Sequence, residues 1–315
     1  MSLLWLARRL VGLCLSLVAA SGIVFVLMDL LPGDPAEIML GTSARPDTLA
    51  ALRAEMGLDR PAFVRYAEWA GGLLQGNFGT SQTYAVPVSE LIRERLAVTV
   101  PLACAALLLT LVLALPLGAW AASRRNSATD TAIVAVTQLG IAIPNFWFAM
   151  MLVLVFAIGW RLLPSGGFPG WDGGARAALS LILPAIALAL PQAAILTRVM
   201  RSSLLETLGE DYIRTARAKG LTRGQALRRH AFRNALIPVL TILGLQFSFL
   251  IAGTVVIENV FSLPGLGRLI FQAINQRDLV VVRSVVMLLV GFIIIVNFIV
   301  DLAYALVDPR LRGRA

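Results

Sequence analysis

Apolar residues in this chain fall into long uninterrupted blocks rather than into alternating or every-third positions. Charge-free stretches occupy Leu10–Met28, Ala97–Ala122, Thr131–Trp160, Ala178–Thr197, Asn234–Ile257 and Ser284–Val300. A membrane-spanning helix needs about 20 predominantly apolar residues, with some latitude for tilt and flanking residues, so the pattern predicts six spans. The first block follows Arg8 and Arg9 and has the outline of a signal peptide. It is too long for one, no small-x-small cleavage site closes it, and Leu30, Leu31 and Pro32 prolong it, so it reads as a first transmembrane helix.

Arg8 and Arg9 place the N-terminus in the cytoplasm, and six crossings return the C-terminus to the same side. Segments 1–9, 123–130, 198–233 and 301–315 then face the cytoplasm and hold 16 of the 27 basic residues in 68 positions. The exterior segments 32–96, 161–177 and 258–283 hold the other 11 in 108 positions, the bias expected of a correctly oriented membrane protein. The net charge of +9 is therefore cytoplasmic, facing anionic lipid or a protein partner, and does not point to nucleic acid.

Three extramembrane stretches carry helical patterns. In 33–96, Asp47 is placed to cap a helix over Thr48–Met56 that Gly57 stops. Pro61 opens a second helix with Phe63, Tyr66, Ala67, Ala70, Leu73 and Leu74 as its apolar stripe, broken by Gly76, Asn77 and Gly79. Ser89 is the expected cap of the helix entering the second span. Segment 198–233 combines nine basic residues, three acidic ones and His230 with apolar positions Leu204, Leu205 and Leu208, and Gly220 interrupts it. This predicts a helix–turn–helix along the membrane surface, better suited to docking a partner than to plain anchoring. After the fifth span, Leu266, Leu269, Ile270, Ala273 and Ile274 recur at helical spacing behind Pro264 and Gly265, with Arg268, Gln272 and Asn275 off that face.

Composition agrees: 58% hydrophobic and 14% charged residues exclude a soluble globular enzyme, a disulfide scaffold and a disordered chain. Cys14 and Cys104 sit in apolar runs without an activating charge. One histidine excludes a multi-histidine metal site within the chain, so no metal ligands are assigned. The single lysine, Lys219, precedes no Ser or Thr and closes no glycine-rich run, so a Walker A loop is absent and no nucleotide cofactor is expected in this chain. No span holds a central Arg, Lys, Asp or Glu, which disfavours ion coupling, and no nucleophile–base pair or paired carboxylates lie within the spans for hydrolysis; no catalytic residue is assigned. The polar residues within spans are Gln138, Asn145, Gln192, Gln246 and Asn297, candidates either for helix–helix hydrogen bonds or for the lining of a pathway. Pro101, Pro116, Pro144, Pro184 and Pro191 are expected to bend their helices.

The cytoplasmic string DYIRTARAKGLT (Asp211–Thr222), followed by RHAFRNALIP (Arg229–Pro238), resembles the EAA loop of ABC importer permeases. Arg214, Thr215 and Ala216 stand where the general loop has Glu-Ala-Ala, and Gly220 keeps its glycine. His230, Phe232 and Arg233 replace the usual Ile, Leu and Pro, a departure typical of the dipeptide/oligopeptide/nickel branch. LPGDP (Leu31–Pro35), Leu52-Arg53 with GLDRP (Gly57–Pro61), GNFGTS (Gly76–Ser81), IPNFW (Ile143–Trp147) and ENVFSLPGLGR (Glu258–Arg268) are similar to the B-type permease of that branch, in the right order along nearly the whole chain.

The resemblance implies an all-α, six-span permease of the type I, MetI-like fold with both termini in the cytoplasm of a bacterial inner-membrane system. Its parts would be the first span (1–32), an exterior helical region (33–96), a five-helix core (97–308) with cytoplasmic loop 198–233 and exterior loop 258–283, and a basic tail (309–315). The implied partners are a second homologous permease, two cytoplasmic ATPases that bind the ATP, an exterior substrate-binding protein and membrane lipid. Arg214, Thr215, Ala216, Arg217, Ala218, Lys219, Gly220 and Leu221 would dock on an ATPase, Ala216 and Gly220 approaching it most closely. The implied cargo is peptide, with nickel chelates, glutathione or another small polar solute as alternatives; a stand-alone channel or secondary transporter is the competing class.

Overall fold

The computed structural model describes residues 3–30, 35–40 and 44–307. Most of the block Leu31–Pro35 and the tail 309–315 lie outside them. Along the chain the helices are α1 (Leu3–Asp29), α2 (Pro35–Leu40), α3 (Pro46–Glu55), α4 (Ala62–Leu74), α5 (Val88–Ser123), α6 (Ala128–Ala142) and α7 (Asn145–Leu152), the last continuing as a π-helical turn to Gly159. There follow α8 (Ala175–Gly209), α9 (Asp211–Ala218), α10 (Arg223–Ala226), α11 (Phe232–Val260), α12 (Leu266–Asn275) and α13 (Leu279–Val307).

Among the described residues, five helices are long and apolar enough to cross a membrane: α1, α5, α8, α11 with the turn before it, and α13. The third block is not one straight span. Its two halves, α6 and α7, meet at 102°, so the count reaches six only if the bent pair is one crossing. The cause is local. Ile143 precedes a proline and takes an extended conformation (φ −85°, ψ 125°), which stops α6, and Pro144 starts α7 from outside the helix. Pro101, Pro116, Pro184 and Pro191 lie inside α5 and α8, which run on through them, as α11 does through Pro238.

The charged ends of the apolar blocks mark the membrane exit, not the helix ends. α8 continues twelve residues beyond Thr197, so Leu204 is a fully buried residue of its cytoplasmic extension and no separate surface helix begins at Arg198. Several predicted caps also move. Helix α3 is capped at Arg45 with Asp47 in its first turn, and α5 starts after Pro87, placing Ser89 inside it. The buried stripe of α4 is Tyr66, Trp69, Ala70 and Leu73, whereas Phe63 (75%) and Leu74 (92%) are exposed, because α4 packs on Val24 and Phe25 of α1 along one narrow edge.

Helices α5 and α8 form the central contact, through small residues that let backbones approach. A Cβ on Gly118 would lie 2.7 Å from Met200 Cβ and 2.8 Å from the Thr197 carbonyl oxygen, and Thr110 Oγ1 donates to the Ala189 carbonyl oxygen at 3.3 Å. One apolar cluster joins α5, α7, α8 and α11, centred on Leu102, Leu183, Leu188 and Leu250. A second lies towards the cytoplasm, around Met200, Leu204 and Ile213, and a third is exterior, where Leu266, Leu269 and Ala273 of α12 meet Val281 and Val285 of α13. Ile274 falls outside that contact and is 56% exposed.

Candidate functional site

The cytoplasmic hairpin is built from a helix stop and a cap. Helix α9 ends in a Schellman motif: Gly220 N–H donates to the Arg217 carbonyl at 2.9 Å and Leu221 N–H to the Ala216 carbonyl at 3.4 Å. Gly220 sits at φ +98°, a conformation that L side chains rarely adopt, and a Cβ there would meet no atom of this chain within 4 Å. The glycine is thus demanded by the turn itself, independently of any partner. Thr222 and Gln225 then satisfy each other reciprocally, Thr222 N–H to Gln225 Oε1 at 2.9 Å and Gln225 N–H to Thr222 Oγ1 at 3.3 Å, which restarts the helix towards α11.

The hairpin is braced from beneath. Ile213 is completely buried in the cytoplasmic cluster, and Asn234 Nδ2 donates to Tyr212 Oη at 2.6 Å, tying α9 to the first turn of α11. With Ile213 inward, Arg214, Thr215, Arg217, Ala218, Lys219 and Gly220 are exposed and Ala216 and Leu221 half-buried. Arg214 reaches Asp211 at 3.4 Å, but both side chains are largely in solvent and the pair holds little. The result is a basic, braced edge that the chain places between α8 and α11, set off from α8 by extended Glu210 and from α11 by the turn at Gly220.

A second fastening adjoins it, one that sequence reading missed. Arg201 on the α8 extension clasps Asp130 at the start of α6 with two bonds, Nε to Oδ1 at 2.6 Å and Nη2 to Oδ2 at 2.7 Å. Asp130 also accepts from Asn126 N–H at 3.0 Å, and its side chain is only 5% exposed. Bidentate arginine–carboxylate geometry fixes direction as well as distance, so it ties the start of α6 to the cytoplasmic extension of α8. The signal was one acidic residue beside a predicted span, without its partner 71 residues away.

The five span amides do not converge. Gln246 on α11 donates from Nε2 to the Gln192 carbonyl of α8 at 3.0 Å, and both side-chain oxygens, buried, have no partner among the described residues. Asn297 on α13 contacts Ser248 Oγ at 3.4 Å and caps back to Ile293 at 3.0 Å. Gln138 accepts from Arg198 at 3.2 Å on an exposed face, and half-buried Asn145 stands at the α6–α7 bend.

On the exterior side a buried carboxylate, also missed, organises the motif after the fifth span. Glu258 is fully buried at the end of α11; Oε1 accepts from Thr99 Oγ1 at 2.6 Å, and Oε2 from Gly267 N–H at 2.7 Å and Arg268 N–H at 3.2 Å. Thr99 Oγ1 in turn accepts Leu266 N–H at 2.8 Å. Three first-turn amides of α12 are thereby satisfied by one glutamate and one threonine, a carboxylate at a helix N-terminus being the favourable sign. The glycines of the motif leave room for it: a Cβ on Gly265 would fall 2.2 Å from Glu258 Cδ, and one on Gly267 2.3 Å from Val255 Cα.

Bent and continuous spans surrounding a small-residue core, with a braced basic hairpin at one face and a locked helix at the other, define a polytopic membrane subunit of a transport system. Two family descriptions match the chain: the binding-protein-dependent transport system inner membrane component over residues 114–313, and its N-terminal counterpart over residues 2–103. The chain belongs to this family: it is a multi-pass inner-membrane permease of ABC importers, and not an enzyme.

A Brucella abortus protein carrying the name of a peptide transport system permease is 45% identical over 92% of this chain and 93% of its own length. The dipeptide transport system permease protein DppB of Escherichia coli is 38% identical over 98% of this chain and 99% of its own. Among solved structures, an inward-facing MetNI methionine ABC transporter superposes with a TM-score of 0.58 at 18% identity, over 69% of this chain and 96% of the matched one. At that identity the likeness is one of fold.

Proposed function

We propose that this chain forms half of the membrane pathway of a peptide importer, paired with a second permease and driven by two cytoplasmic ATPases that hold the ATP. An exterior binding protein delivers di- or oligopeptides to the face bearing α12. The hairpin Arg214–Leu221 docks in an ATPase cleft, and ATPase closure moves α8 and α11 between inward- and outward-open arrangements, a rigid-body transition. The observation that carries this reading is the exposed, basic α9 edge mounted on buried Ile213 and tied to α11 through Tyr212 and Asn234. The peptide cargo is supported by the relatives' names, dipeptide transport among them.

The test is uptake of a labelled dipeptide by cells whose only copy is this chain with its accompanying subunits. Replacing Gly220 by Glu is expected to abolish uptake while the protein still inserts in the membrane, because the turn no longer forms and the edge no longer seats. Retained uptake in that variant sinks the coupling assignment; retained coupling with no peptide uptake by the unmodified chain sinks the cargo.

A further inference from the structure

Helix α1 stands apart from the rest of the fold, packing mainly along α13, and that packing is uneven. In the exterior half Val24 and Phe25 meet Val286 and Met287, and midway Leu17 lies 3.8 Å from the position of a Cβ on Gly291. Towards the cytoplasm the two helices part and leave a cavity of about 600 Å³. Gly12 on its wall has no atom within 4 Å of where a Cβ would be. Across the mouth Arg9 pairs with Asp301 at the exit of α13, and Arg9 also lies 5.5 Å from the ring of Trp5. Arg8, on the same mouth, has no ion pair among the described residues. Deeper in, the wall is uncharged, with Leu13, Ile294 and Phe298 beside Ser16 and Asn297.

We propose that this cleft is a binding site for one anionic phospholipid of the cytoplasmic leaflet, its phosphodiester on Arg8 and Arg9 and the start of its acyl chains along Leu13, Ile294 and Phe298. The charged lining residues, Arg8, Arg9 and Asp301, all lie at the mouth, and the wall within is uncharged, an arrangement that suits a headgroup at the mouth with its chains inward. Charge selects the headgroup: two guanidiniums face one carboxylate, leaving a positive charge that a phosphodiester takes through paired N–H donors. Trp5 sits at the level where indole rings favour the membrane–water interface. The lipid thereby fills the gap between the cytoplasmic halves of α1 and α13.

The test uses the full chain with whatever subunits accompany it, in nanodiscs of phosphatidylethanolamine with a minority of phosphatidylglycerol, followed by native mass spectrometry of lipids retained after mild release. The unmodified protein is expected to retain phosphatidylglycerol beyond its share of the bilayer. Arg8→Gln should lower that retention about fivefold, the worth of one arginine at an anionic surface, and Arg8→Lys should keep most of it. Excess inorganic phosphate should not displace the lipid. Retention in proportion to the bilayer, unchanged retention in Arg8→Gln, displacement by phosphate alone, or a disulfide formed between Gly12→Cys and an accompanying subunit would each overturn the assignment.

Discussion

Removing the Glu258 carboxylate tests whether helix α12 is held by this one group. In Glu258→Ala the Thr99 hydroxyl and the Gly267 and Arg268 amides lose their acceptor at once. Each buried donor left without a partner costs about 1–3 kcal/mol. Arg268 lies towards the solvent edge, where water replaces part of the loss, so the total works out at about 3–5 kcal/mol. For a chain of this size that corresponds to a fall in unfolding midpoint of roughly 6–10 °C. Glu258→Gln keeps the shape and one good acceptor for the α12 amides but turns an NH₂ towards Thr99, and should cost about 1–2 kcal/mol. Thermal unfolding in mild detergent, with limited proteolysis around residues 262–278 as a local readout, measures both. Thr99→Val should cost less in the Glu258→Ala background than alone, by about 1–2 kcal/mol of coupling. A midpoint for Glu258→Ala within about 2 °C of the unmodified protein, or strict additivity with Thr99→Val, would refute the idea that the four groups act as one lock.

Two further variants probe the moving parts. Asp130→Ala leaves Arg201 half-buried without its partner and should destabilise by about 1–3 kcal/mol, while also uncoupling ATP hydrolysis from uptake by freeing α6 from α8; unchanged coupling ratios would limit the pair to a structural role. Gly118→Leu drives a side chain into Met200 and the Thr197 carbonyl, and should lower the unfolding midpoint more than Leu117→Ala beside it; equal effects would mean α5 and α8 slide apart easily at this crossing.

Much of this architecture was legible in the chain. Apolar blocks and the bias of arginine marked out the segments that can cross and the loops expected to face the cytoplasm, because lipid leaves backbone polar groups no partners outside a helix. Gly220 and Gly57 announced helix stops correctly, since a left-handed residue closing a helix is a local requirement of the backbone. Asp130 and Glu258 are another matter. Each is a lone acid near the end of an apolar block, and its role depends on Arg201, Thr99 and Gly267 arriving from other helices. The same holds for the amides: Gln192 and Gln246 meet across α8 and α11, whereas Gln138 and Asn145 stand elsewhere, a distribution that no spacing along the chain encodes.

By itself, then, the sequence determined the solvent of each segment, its sidedness and its helix stops, all set by short-range backbone chemistry and transfer from water to lipid. Only the tertiary structure decided that Arg201 and Asp130 fasten α8 to α6, that Ile213 and Asn234 brace the cytoplasmic hairpin, and that Glu258 and Thr99 lock the exterior helix. Those outcomes turn on which helices come within about 3 Å of one another, the range over which a hydrogen bond acts.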